Sequence, residues 1–153
     1  MIKKIAITGG PCSGKSTGIE YLAEKLWDFG YRPIVAPEIP TLIIANGVPD
    51  INKIASTNPE LYLEIQRTMF LLASDYEKRI NDLARHFQKN EKVVILCDRG
   101  KIDGRAYMSE DGFSNILSGV DINEHAVRES YDAAIHMVTA AKGAEAFYNT
   151  TIL

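Results

Sequence analysis

Short apolar runs alternate along the chain with longer stretches in which apolar residues recur every third or fourth position. "KKIAIT" (residues 3–8) is closed by Gly9 and Gly10 and reads as a short buried strand. From Ser16 to Phe29, the residues Ile19, Leu22, Ala23, Leu26 and Trp27 fall at helical spacing, and Gly30 stands at a helix-stop position. "YRPIVAPE" (31–38) is a second strand. Pro33 and Pro37 cannot donate to a ladder, so this strand belongs at a sheet edge. "TLIIANG" (41–47) predicts a short helix closed by Gly47. Asn58-Pro59-Glu60 combines a capping side chain, a first-turn proline and an acid, and starts a helix that runs to about Asn90. Along it Ile65, Met69, Leu72, Tyr76, Ile80, Leu83 and Phe87 repeat by fours and threes, which predicts one continuous buried stripe. "KVVILCD" (92–98) is apolar without alternation, as a strand covered on both faces would be. "DINEHAVRES" (121–130) predicts a short helix with Asp121 as its cap, and "YDAAIHMVTA" (131–140) a fourth strand. The last stretch, 141–153, gives no firm element.

Strands that alternate with helices imply an α/β fold, a parallel sheet with helices on both faces. Ligands of such sheets sit beyond the carboxyl ends of the strands. Gly9, Glu38, Asp98 and Thr139 all lie at or just after those ends, so four strands point at one rim.

The first of these ends carries chemistry. Gly9-Gly10-Pro11-Cys12-Ser13-Gly14-Lys15-Ser16, followed by Thr17, matches G-x-x-x-x-G-K-[ST] at every fixed position, between a strand and a helix. Converging backbone N–H groups hold phosphate oxygens best, and glycine lets them approach. The helix start adds unpaired donors and the positive end of a dipole. Lys15 supplies a point charge for the terminal phosphates, and the Ser16 hydroxyl suits Mg²⁺. A dinucleotide site is the rival, with Glu38 where a ribose-binding acid would lie. However, the glycines do not fit G-x-G-x-x-G, and Lys15-Ser16 would have no role there. Cys12 reads as a small filler rather than a reactive thiol.

A Mg²⁺-nucleotide site also needs a carboxylate opposite the loop. Asp98 ends the most apolar strand, where an acid without a partner is costly. A contact to Mg²⁺ would satisfy it, whereas capping of the next turn is the plainer alternative. Arg99 is placed to neutralise a transferring phosphoryl or an acceptor, or else to form a structural ion pair. Glu38 is either a base for an acceptor hydroxyl or a solvated loop carboxylate. Asp103 reads as a turn residue. His86, His125 and His136 show no ligand spacing and read as structural or surface residues.

Composition changes little in this picture. The chain has 153 residues, enough for one domain, and a net charge of −3, which gives no global pull toward nucleic acid or anionic membrane. No apolar stretch approaches the roughly 18 residues that span a bilayer. Cys12 and Cys97 show no paired spacing, which suggests reduced thiols in a cytoplasmic protein.

"VAPEIPTLIIANG", "CDRGKIDGRAYM" and "YDAAIHMVTAAKGAEAFY" add a resemblance to the loop. The chain resembles, from about Ile2 to Tyr148, the AAA-type ATP-binding domain shared by NadR-like proteins and the TRPL-translocation-defect protein. That group is related to the nucleoside and nucleotide kinases. PE-x-P after strand two, joined with DRG-x-x-DG-x-AY after strand three, is more specific than the loop alone. The resemblance implies a P-loop NTPase three-layer sandwich of kinase type, strand order 2-3-1-4-5, with ATP or GTP bound together with Mg²⁺. It makes Glu38 the base and Gln66 a reader of the acceptor, although on the residues alone Gln66 is an ordinary polar helix position. It also suggests phosphoinositide binding, which no lysine cluster in the sequence supports. Against those kinases the chain ends where an arginine-bearing lid and a fifth strand are expected, so residues 1–153 read as one C-terminally incomplete P-loop domain. The leading expectation is Mg²⁺-dependent nucleoside triphosphate binding with phosphoryl transfer to a small nucleoside-like acceptor. The alternatives are a regulatory ATP- or GTP-binding module with slow hydrolysis, and an inactive truncated relative.

Overall fold

The computed structural model describes residues 1–139. Strand β1 (Ile2–Thr8) lies between β3 (Lys92–Asp98) and β4 (Ala133–His136), and β2 (Tyr31–Ala36) lies outside β3. All three pairings are parallel, so the order is β2-β3-β1-β4. This is the kinase-type P-loop α/β arrangement expected from the sequence. Pro33 sits in β2 opposite Val94, and β2 is an edge strand, the position that tolerates a missing N–H.

β3 is the centre of the core because both of its faces are covered. Val93, Ile95 and Cys97 join Ala36 and Ala84 on one side. Val94 and Leu96 join Ile7 and Ile19 on the other, against helix α1 (Lys15–Asp28). The first side is closed by α4 (Pro59–Phe87), a helix of 29 residues. As its sequence predicts, the Asn58 side chain accepts from the Leu61 N–H at 3.1 Å and Pro59 opens the first turn.

Several expectations are corrected. The stripe on α4 is not continuous, since Leu72, Tyr76 and Leu83 are exposed. The buried line runs instead through Ile65, Gln66, Met69, Phe70, Glu77 and Ala84. The helix is gripped from two sides near its start. Helices α2 (Ile39–Ala45) and α3 (Ile51–Thr57) cover Ile65 and Met69. Helix α5 (Glu110–Ser118) covers Phe70 through Phe113 and Ile116. Of the two polar residues in this line, Glu77 has partners on other segments and Gln66 has Tyr62 one turn earlier on the helix. Neither α3 nor α5 was expected. Helix α6 (Glu124–Glu129) is capped by Asn123, whose side chain accepts from the Ala126 N–H at 2.7 Å. Asp121 does not cap it; it sits in the turn before, with φ +53°. β4 spans four residues rather than ten. The expected lid, the fifth strand and the unassigned stretch 141–153 lie outside the described residues. No helix among the described residues is long and apolar enough to cross a membrane.

Candidate functional site

The glycine-rich loop joins β1 to α1. Its path requires glycine at Gly9 (φ +153°) and Gly14 (φ +81°), where a side chain would be strained. Gly14 stands before α1 without a side-chain cap, and the first turn holds no acid. The opening N–H groups of α1 therefore have no side-chain acceptor, as an anion site requires. Lys15 is 9 % exposed, and its Nζ donates to the carbonyls of Gly9 and Gly10, each at 3.1 Å. The ammonium thus lies across the loop it would serve. Ser13 is buried with an unpartnered Oγ, while Pro11, Cys12, Ser16 and Thr17 are exposed.

Register places the second acid. Asp98 is opposite Ile7 in the β1–β3 ladder, two residues before Gly9. Its Oδ1 is buried and has no hydrogen-bond partner. Burial, and then the charge of Glu38, push its carboxyl above the ordinary range. No group of three or more His, Cys, Asp or Glu side chains among the described residues is placed to hold a metal alone. An orphaned carboxylate oxygen and an exposed Ser16 hydroxyl fit Mg²⁺, which takes few protein ligands and completes its shell with phosphate oxygens and water.

Arg99 follows at φ +76°, an unusual backbone for arginine, and its N–H donates to the Ile7 carbonyl at 3.0 Å. Its guanidinium donates to the Glu38 carboxylate through a short contact and to the Tyr107 hydroxyl at 3.2 Å. Glu38 also accepts from the Thr41 hydroxyl at 2.5 Å. Burial pushes the Glu38 carboxyl up, but the hydrogen bonds from Thr41 and Arg99 outweigh it and hold it below the ordinary range.

These groups border two cavities. The larger, about 290 Å³, lies between α4 and the rim and includes Glu38, Gln66, Asp98 and Arg99 among its walls. Gln66, only 8 % exposed, hydrogen-bonds with the Tyr62 hydroxyl, and that hydroxyl donates to the Tyr107 carbonyl at 2.7 Å. The smaller cavity, about 220 Å³, is walled by Thr8 at the end of β1, by Gly9 and Gly10 of the loop and by His136. Arg99, Asp103 and Tyr107 border both.

Of the residues singled out in the sequence, Glu38, Gln66, Asp98 and Arg99 line one cavity, and Arg99 shares the second with Gly9 and Gly10. Asp103, read there as a turn residue, sits deeper than expected. It lies on the 3₁₀ segment Lys101–Tyr107 and accepts from the Thr8 hydroxyl at 2.7 Å. Tyr62 and Tyr107 were missed, and the tyrosine in DRG-x-x-DG-x-AY was the only signal for the second. His86 and His125 are exposed, as expected, but the exposed His136 faces the smaller cavity.

No curated protein is similar enough to the chain to count as a match. The family model described as "AAA domain" matches residues 4–149, nearly the whole chain, and this P-loop protein is therefore a member of the AAA domain family, for which nucleotide binding is implied and Mg²⁺ is usual.

Proposed function

We propose that the chain binds Mg²⁺ with ATP or GTP on the loop Gly9–Thr17 and transfers the terminal phosphoryl group to a small, nucleoside-like acceptor. The observation that supports this most is the meeting of two cavities at Arg99, Asp103 and Tyr107. A donor on the loop and an acceptor against α4 would face one another there. In this reading the N–H groups of the loop and of α1 grip the β- and γ-phosphates, and Lys15 leaves the two carbonyls to follow them. Ser16 and Asp98 would hold Mg²⁺, which neutralises charge as the phosphoryl group moves. The acceptor oxygen attacks the γ-phosphorus and its proton passes to Glu38. The bond to the bridging oxygen breaks, and that electron pair leaves with the nucleoside diphosphate. Arg99 turns from Glu38 to the moving phosphoryl, which frees the base at the moment it is needed. Gln66, with Tyr62, orients the acceptor. The likeness to NadR-like proteins and the TRPL-translocation-defect protein belongs to this proposal, as does treatment of residues 1–153 as one domain. A phosphoinositide partner forms no part of it, since only the resemblance suggests one. The free thiols of Cys12 and Cys97 suit a cytoplasmic setting.

A second reading has its own support. Glu38 and Arg99 satisfy one another and Lys15 is held by two main-chain carbonyls, as in a nucleotide-binding regulatory module with slow turnover. Calorimetric titration with ATP and with GTP, with and without Mg²⁺, followed by phosphorus NMR with a panel of nucleosides, separates the two. A kinase yields a phosphorylated acceptor and loses it in Asp98→Asn. A module binds tightly and yields none. Equal affinity in Lys15→Ala and the parent would refute both.

A further inference from the structure

Away from the phosphate loop, a buried carboxylate has no part in the chemistry described so far. Glu77, in the middle of α4, is 5 % exposed and is met from three other segments. Lys4 of β1 donates to its Oε2 at 2.9 Å, and the Lys101 ammonium lies 3.4 Å from the same oxygen. Tyr131, just before β4, donates its hydroxyl to Oε1 at 2.6 Å. Burial, followed by the nearby Glu77 charge, pushes that phenol up, so it stays a donor. The same hydroxyl accepts the main-chain N–H of Lys101 at 3.0 Å. Its ring abuts the chain as well. A Cβ added to Gly100 would lie 4.0 Å from Tyr131 Cζ and 3.3 Å from Ala6 Cβ.

The segment Asp98–Lys101 is therefore tied at both ends. Upstream, the Arg99 N–H is held by Ile7; downstream, the Lys101 N–H is held by Tyr131, and Tyr131 by Glu77. Between the two ties lies Arg99 with its left-handed backbone, a conformation that persists only where the surroundings over-determine it. Apolar residues of similar volume would join α4 to the sheet at least as firmly as buried charges do. What directional hydrogen bonds add is a fixed orientation.

We propose that Glu77 and Tyr131 are positioning residues. They hold the turn after β3 so that Asp98 presents its unpartnered oxygen to the Mg²⁺ of a bound nucleotide and Arg99 faces the junction of the two cavities. This rests on the phosphate-site reading above. Neither residue lines the cavity beside the phosphate loop, although Glu77 is among the walls of the larger one, so for nucleotide a brace and a purely structural contact differ in one respect. A brace governs how much Mg²⁺ adds to nucleotide affinity, whereas a structural contact alters only stability.

The test is titration of a fluorescent ATP analogue with and without Mg²⁺, on the parent, Asp98→Asn, Tyr131→Phe and Glu77→Gln, with thermal unfolding recorded for each. Lys3→Ala, which removes the exposed pair with Asp132 beside Tyr131, is the control. Affinity without Mg²⁺ should stay within about twofold of the parent in Tyr131→Phe and Glu77→Gln, since the loop is untouched. The gain from Mg²⁺ should shrink about fivefold, the worth of one hydrogen bond, toward that of Asp98→Asn. Should Tyr131→Phe fail to fold, Glu77→Gln, which keeps its shape, decides the matter. A full Mg²⁺ gain in the folded variants would overturn the brace alone, as would an equal loss in Lys3→Ala. No nucleotide binding by the parent would overturn the phosphate-site reading, and the brace with it.

Discussion

Gly9 is the tightest point of the loop and offers a prediction that can be worked from geometry. A Cβ placed there would lie 2.4 Å from the Met137 carbonyl oxygen and 2.8 Å from Ser13 Oγ. The first of these is a backbone atom of the segment that follows β4, so relief requires the chain itself to move. The φ of +153° adds strain for any residue with a side chain, of about 1–3 kcal/mol. Overpacking against a fixed neighbour adds about 1–3 kcal/mol. Gly9→Ala should therefore lose about 4 kcal/mol, a large share of the 5–15 kcal/mol that holds a typical domain. At about 2–4 °C per kcal/mol for a chain of this size, Tm falls by roughly 8–16 °C. Gly10, its neighbour, has open space around a built Cβ and no positive φ. Gly10→Ala should keep Tm within about 1 kcal/mol equivalent of the parent. The assay is thermal unfolding by circular dichroism, with both variants in one nucleotide-free buffer. A Gly9→Ala protein that melts with the parent, or a Gly10→Ala protein that falls as far, would refute the account.

Three further outcomes are expected. Lys15→Ala should weaken Mg²⁺–ATP binding by about 10- to 100-fold, the worth of a charge-assisted hydrogen bond, and calorimetry that finds less than a threefold change would count against the loop. In the folded protein one thiol, the exposed Cys12, should react with a disulfide reagent, while the buried Cys97, pushed up to about 12, should react only after denaturation. Bound nucleotide should slow the Cys12 reaction, and an unchanged rate would argue that the loop is not covered. Glu38 is held below its unfolded value of about 4.5, so it adds stability above that pH and loses it as pH falls through the folded value. Glu38→Gln should accordingly flatten the acid side of a Tm-against-pH curve, and an unchanged slope below about pH 4.5 would show that the pair with Arg99 contributes nothing.

What could be read from the sequence was local. The loop, the Asn58 cap and the edge placement of β2 each depend on glycine, asparagine or proline acting on its own few neighbours, and all three stand in the structure. What could not be read was long-range. Glu77 occupies a buried place on α4 because Lys4, Lys101 and Tyr131 supply partners from distant segments, whereas Gln66 pairs with Tyr62 one turn earlier on the same helix. A pattern of apolar residues alone favours Leu72 and Leu83 in their stead. Asp103 gains its place from Thr8, a residue 95 positions away, so its spacing looked like that of an ordinary turn. Helix α5 was hidden for another reason: Gly112, a residue that usually breaks helices, stands in its first turn, where Ser109 caps it.

The alignment of Ile7 with Asp98 also bears on how the protein comes to be able to bind anything. The two stretches that would grip phosphate and metal are about ninety positions apart in the chain, and only their parallel zippering sets them side by side. Such distant closures are slow to form. A nucleotide held together with its metal would then report that the sheet is already finished.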